Sequence, residues 1–227
     1  MNKSWRCYLT FGFLLVVGLP EISTTALAQP AKKKLTINLR VYNYAQVPEK
    51  ILSEAEKEVR EVLHKIGVET CWLHVPQSSG KNQLEFLCRR PKNSSGLDLN
   101  ISMPPRSTVK TMVEHLGRQD DVFGLSPRSK DKPGHLAYVF YHRVEEFLRA
   151  QNLHEHKARI LGLAIAHEIG HLLLPSNAHS RKGIMRAVWE RQDFRFAIRG
   201  NLGFTPKQAE LIRSEVLRRS TSNPEVP

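Results

Sequence analysis

His167 and His171 stand four residues apart at the end of a largely apolar run, and this spacing restricts the fold more tightly than any other feature of the chain. The run from Ala158 to Ala166 is helix-compatible, and Pro175 stops the helix just past His171. Residues i and i+4 on a helix share one face, with Cβ atoms about 5–6 Å apart. Two imidazoles so placed can reach a single tetrahedral Zn²⁺ at bond lengths of about 2.0–2.1 Å. Glu168 lies one position round from His167, so its carboxylate falls beside that point rather than on it, where it can take a proton from an attacking water. The pair taken alone also suits a solvated helix face. Its context makes the metal reading the better one.

That context is His179-Ser180, followed by Gly183-Ile184-Met185. Together with His167, Glu168 and His171 these residues resemble the long motif of the metzincin zinc peptidases, most closely matrixins and archaemetzincins. The resemblance implies that His167, His171 and His179 are metal ligands, that Glu168 is the catalytic base and that Met185 floors the site in a methionine turn without ligating. The chain departs from the motif at one point. Where the family has glycine and then the third ligand, it has Leu174 and Asn177, and His179 arrives two residues later. Pro175-Ser176-Asn177 can make the bend, since proline ends the helix and Asn tolerates left-handed φ. The match covers about twenty residues; elsewhere the likeness is one of element order. Glu190, nineteen residues past His171, is the rival third ligand, in the manner of gluzincins, which would place it on a helix such as Ala187–Gln192. Asp193 is a lesser rival of the same kind, and His179 in turn can be read as a plain loop histidine.

Residues 1–28 read as a secretory signal: Lys3 and Arg6 at the start, an apolar core from Leu9 to Leu19, and Ala26-Leu27-Ala28 as a small-residue cleavage site. The apolar core is shorter than the roughly twenty residues that span a bilayer, although an uncleaved anchor is the alternative. Cleavage would leave residues 29–227 with 32 basic and 21 acidic side chains. It would also leave an even pair of cysteines, Cys71 and Cys88, which in an exported protein suggests a disulfide; two free thiols are the alternative. A bridge across so short a loop is worth about 3 kcal/mol in the chain-entropy model. The expected location is therefore secreted or periplasmic. Positive charge is dispersed in small clusters at Lys32-Lys33-Lys34, Arg89-Arg90 and Arg218-Arg219 without interleaved aromatics. Such a surface loosely favours anionic envelopes or substrates and does not point to nucleic acid.

The length after cleavage fits one domain, 29–219, with a disordered tail at 220–227. Leu35–Val41 alternates as a strand, and Pro48 opens a helix with apolar residues at helical spacing up to Gly67. Strands are expected at Val68–Val75, Leu84–Cys88, Leu97–Met103, Val122–Ser126 and Leu136–Tyr141. Helices are expected near Thr108–Leu116, Val144–Ala150, Lys157–Leu174 and 206–219, the last capped by Thr205 with Pro206 in its first turn. The expected class is α+β. The resemblance implies a metzincin-like arrangement, in which a mixed sheet lies over the active-site helix and a small C-terminal subdomain closes the fold. By order, Phe123, Gly124 and Leu125 fall on the antiparallel edge strand that such a fold presents to an extended peptide, with an ordinary interior strand as the alternative. The resemblance also implies that Trp189 lies in the segment lining the pocket beyond the scissile bond, though it serves equally as a core aromatic. The expected activity is that of an exported zinc endopeptidase acting on peptide or protein. The competing readings are a gluzincin-like peptidase or amidase using Glu190, and a noncatalytic zinc-stabilised binding module of the envelope.

Overall fold

Alternating side chains on the first strand decide how the layers stack. The structure, a computed structural model, describes residues 34–76, 96–115, 123–127, 133–175 and 178–221, all within one unit, Lys34–Pro227. The signal segment 1–28, the strand expected at Leu84–Cys88, and residues 222–227 of the tail lie outside the described residues. In β1 (Leu35–Asn43) Ile37, Leu39 and Val41 are inaccessible to solvent and share one face. On its two sides β1 pairs in parallel with β2 (Val68–His74) and β3 (Leu97–Met103). Leu97, Leu99, Ile101 and Met103 continue the buried face on β3, followed by Ala137 and Val139 on β5 (Leu136–Val139). The last strand, β4 (Gly124–Leu125), runs antiparallel to β5, with Gly124 opposite Val139. The described sheet is thus mixed, in the order β2-β1-β3-β5-β4, and the fold is α+β.

Six α-helices accompany the sheet among the described residues: α1 (Glu49–His64), α2 (Arg106–His115), α3 (Tyr141–Ala150), α4 (Lys157–Leu173), α5 (Arg191–Ile198) and α6 (Pro206–Thr221). The expected boundaries hold within a few residues, with four corrections. The strand expected over Val122–Ser126 shortens to two residues, and Tyr141 starts a helix rather than ending a strand. Helix α5, raised only as a possible helix at Ala187–Gln192, begins at Arg191 and runs to Ile198. Ser220 and Thr221 belong to α6 rather than to a disordered tail, and Thr221 Oγ1 bonds back to the Leu217 carbonyl at 3.1 Å.

Helix α4 is the buried axis. Thirteen of its residues are buried, among them Leu161, Leu163, Ile165 and Ile169. Full burial of each such side chain contributes about 1.5–3 kcal/mol. Its approach to α1 is close because Gly162 has no side chain: a Cβ there would sit 2.5 Å from the Ala55 carbonyl oxygen. The C-terminal end of α4 needs partners for its last carbonyls, and α6 supplies one. Buried Arg219 donates to Leu172 O at 2.6 Å and to Gly134 O at 2.9 Å, while its Nε donates to Glu215 Oε1 at 2.7 Å. A guanidinium at this point also complements the negative end of the helix dipole.

The hydrogen bond from Arg218, with help from Arg219, holds the Glu215 carboxyl down to about 2, from an ordinary value of 4.5. A carboxylate with a depressed folded pKa stabilises above the unfolded value, and the contribution fades as pH falls toward the folded one. Wild type should therefore be more stable than Glu215→Gln near neutral pH, and the gap should shrink as pH falls from 4.5 toward about 2. Urea denaturation of both proteins across that window checks the sign; a gap that widened with acid would contradict the assignment.

Candidate metal centre

Beyond its first turn, helix α4 is buried at every position except His167 and His171, which are half-buried. The spacing does what helical geometry requires: the two rings meet edge to face with centroids 4.7 Å apart, and their Nε2 atoms are 3.0 Å apart. Bonds of 2.0–2.1 Å to a tetrahedral ion put two ligand atoms about 3.3 Å apart, so the pair is already near the right separation. The helix then stops. Leu174 leaves it in an extended conformation (φ −92°, ψ 160°), as a residue preceding proline prefers. Leu174, which stands where the metzincin motif has glycine, is thus outside the left-handed region, and Ser176 and Asn177, offered for the bend, lie outside the described residues. The chain returns with His179, whose ring lies 4.7 Å from that of His171 and 5.7 Å from that of His167. One ligand atom from each of the three histidines lies within 4.8 Å of the others.

His167 is oriented from behind. Its Nδ1 lies 2.6 Å from the Ile184 carbonyl oxygen, which can only accept, so the ring proton sits on Nδ1 and the Nε2 lone pair faces His171. Burial pushes this imidazole down to about 4. The Ile184 bond partly offsets that fall, and the neighbouring His179 adds to it. A neutral ring with a fixed tautomer is the form a metal binds. The same Ile184 oxygen also accepts from Trp189 Nε1 at 3.1 Å. The Trp189 indole stands edge-on to His167, Phe123 and Phe194 at 6.0–6.2 Å. Trp189 therefore underpins His167, whatever else it borders.

Met185 is fully buried beneath the centre. A Cβ on Gly170 would lie 2.4 Å from its sulfur and 2.9 Å from Phe204, so the residue just before His171 must be small for the methionine to pack there. The turn is tied by Ser180 N to Met185 O at 2.9 Å and Ile184 N to Gly203 O at 2.9 Å.

Glu168 is 5% exposed and faces the sheet edge. Ser126 Oγ donates to its Oε2 at 2.7 Å and lies 3.0 Å from its backbone oxygen. A Cβ on Gly124 would come within 2.6 Å of Glu168 Cγ and Oε1. Strand alternation explains the set: Gly124 and Ser126 point to Glu168, and Leu125 points the other way. Leu125 is accordingly corrected as a lining residue, since it packs against Val109, Val113 and Phe140 on the far side. Phe123 is half-buried between Phe147 and Trp189.

The rival acids are occupied elsewhere. Glu190 is the residue before α5 and pairs with Arg186; its backbone N–H donates to Asp193 Oδ2 at 2.8 Å. Buried Asp193 also takes Arg186 Nη1 at 3.3 Å. The helix expected at Ala187–Gln192 begins only at Arg191. Cys71 is half-buried in β2, and its expected partner Cys88 lies outside the described residues.

Three contributors carried no assigned role in the sequence: Ser126, the Ile184 carbonyl and Gln208. Only Gln208 left a signal there, as the fourth residue of Thr205-Pro206-Lys207-Gln208, the pattern of a capping box. No family model and no curated protein matches the chain.

The tight seat of Met185 yields a double-mutant prediction. Gly170→Ala should cost about 1–3 kcal/mol by overpacking, and Met185→Ala about 2–5 kcal/mol by cavity formation. Because the added methyl occupies the space the sulfur vacates, the double variant should cost less than the sum by about 0.5–3 kcal/mol. Strict additivity in denaturant titrations would mean the two do not share that space.

Proposed function

We propose that this chain is a zinc-dependent endopeptidase of the metzincin type, exported and processed. The observation that carries the reading is the convergence of His167, His171 and His179, with Glu168 directly after the first of them and its carboxylate fixed by Ser126. The donor set fits zinc, since three imidazoles leave one tetrahedral position open. Zinc bound there would polarise a substrate carbonyl and make water more acidic. Glu168 would accept the proton of the attacking water and return it to the departing amine. Ser126 would hold and orient the carboxylate through Oε2. An extended peptide would lie along β4, the outer strand of the described sheet, held by backbone hydrogen bonds across the centre. The order of strands, with a short antiparallel edge beside the helix that bears the ligands, supports the metzincin form of the reading. The engagement of Glu190 with Arg186 speaks against the gluzincin alternative. A noncatalytic zinc module would have no use for a buried carboxylate fixed by Ser126 directly after the first of the three histidines.

Purified protein should carry about one zinc per chain, as a single tetrahedral site requires. His171→Ala and His179→Ala should lose it, and Glu190→Gln should keep it. Glu168→Ala should keep the metal yet lose hydrolysis of a peptide library by about 10²–10⁴-fold, the usual contribution of a positioned base. Unchanged turnover in Glu168→Ala would remove the mechanism; zinc kept by His179→Ala but lost by Glu190→Gln would move the third ligand to Glu190.

The processing half of the proposal has its own test. Intact mass of the exported product should show an N-terminus at Gln29 and two hydrogens fewer than the reduced form, from a Cys71–Cys88 bridge. A full-length product with both thiols open to alkylation would refute it.

A further inference from the structure

Resting on the metal-centre reading above, we propose that Gln208 is the positioning residue for His179, so that the cap of α6 also fastens the third ligand. The loop carrying His179 is neither helix nor strand, and His179 itself is solvent-exposed. A ligand on such a loop binds well only if the loop is already held near the bound geometry. Gln208 does this from inside the protein, being 8% exposed.

Its two amide ends perform different tasks. Oε1 accepts from Thr205 N at 2.9 Å, and Thr205 Oγ1 accepts from Gln208 N at 3.4 Å, which together close a capping box on α6. Glutamate performs this half of the work as well as glutamine, because only an acceptor is required. Nε2 turns the other way. It donates to Ser180 Oγ at 3.1 Å and lies 3.5 Å from Ala178 O, the residues on either side of His179. Ser180 Oγ then donates to Lys182 O at 2.8 Å, which carries the fastening along the loop. One buried amide thus grips the backbone ahead of the ligand and the side chain behind it. An N–H donor at this position is what the second task needs and the first does not.

Gln208→Glu separates the two, because it keeps the cap acceptor and removes the donor. Zinc affinity would be measured by competition with a chromophoric chelator, with the visible spectrum of the cobalt-substituted protein and thermal unfolding of the metal-free protein alongside. Gln208→Glu should unfold close to wild type but bind zinc about 10–100-fold more weakly, the range typical of partners that orient a ligand. Its cobalt bands should shift as well. Ser180→Ala, which adds no charge, should weaken zinc in the same direction, and Gln208→Ala should lose both affinity and thermal stability. Wild-type zinc affinity and cobalt spectrum in Gln208→Glu and Ser180→Ala would overturn the proposal while leaving the metal centre standing, provided His179→Ala loses zinc. A wild-type chain that takes up no zinc would overturn both readings.

Discussion

The structure turns on one constraint: a helix buried along most of its length has to present two half-buried imidazoles while turning the carboxylate between them toward the sheet edge. Burial of α4 fixes its axis and rotation, because turning it would drive Leu161, Leu163, Ile165 and Ile169 out of the core. At about 1.5–3 kcal/mol for each large side chain, such a rotation would cost as much as the whole stability of an ordinary domain, about 5–15 kcal/mol. The direction of His167, Glu168 and His171 is therefore set by residues that never touch the site. Chemistry needs only the right letters at the right phase of that helix.

Everything off the helix is then arranged to meet it. The Ile184 carbonyl is the joint, since it takes the His167 proton and is held in turn by Trp189. The turn bearing that carbonyl is pressed against α4 through Met185 beneath Gly170. On the opposite side of the motif, the sheet edge comes close enough at Gly124 for Ser126 to reach the Glu168 carboxylate. Small residues recur where these elements meet α4. They let polar backbone atoms and short side chains approach to hydrogen-bonding distance, where a methyl group would hold them apart.

Helix phase and strand alternation were legible because they are periodic, and period is a property of the letters alone. The helix that carries His167, Glu168 and His171 was legible for that reason, as were β1 and β3. The parts that escaped depend on partners distant in sequence. Leu125 reads as a neighbour of Gly124 on the same strand, yet pleating sends it to Val109 and Val113, and no local pattern says which face lies toward the metal centre. Tyr141 looks like the end of an apolar strand, but it opens α3, packs as part of the core, and bonds Glu145 one turn later at 3.2 Å. Helix α5 is short and arginine-rich, and its apolar stripe amounts to little more than Phe194 and Ala197, too few to register as a period. At the same spot Glu190, the rival ligand, precedes a helix rather than standing on one.

The same distinction explains why the third histidine could be named but not seated. His179 follows a proline bend, and nothing periodic tells where a loop comes back. What brings it back is a contact twenty-nine residues further on, from a glutamine whose visible role is to cap a helix. Capping is local, satisfied by a residue three places along, so the pattern is readable; the second hydrogen bond of the same amide is not. A capping glutamine and a capping glutamate look interchangeable in the sequence, and they differ only in the donor that faces away from the helix. At Gln208 that donor reaches the loop of the metal centre, so the choice between two near-equivalent caps is decided by the site and not by the helix.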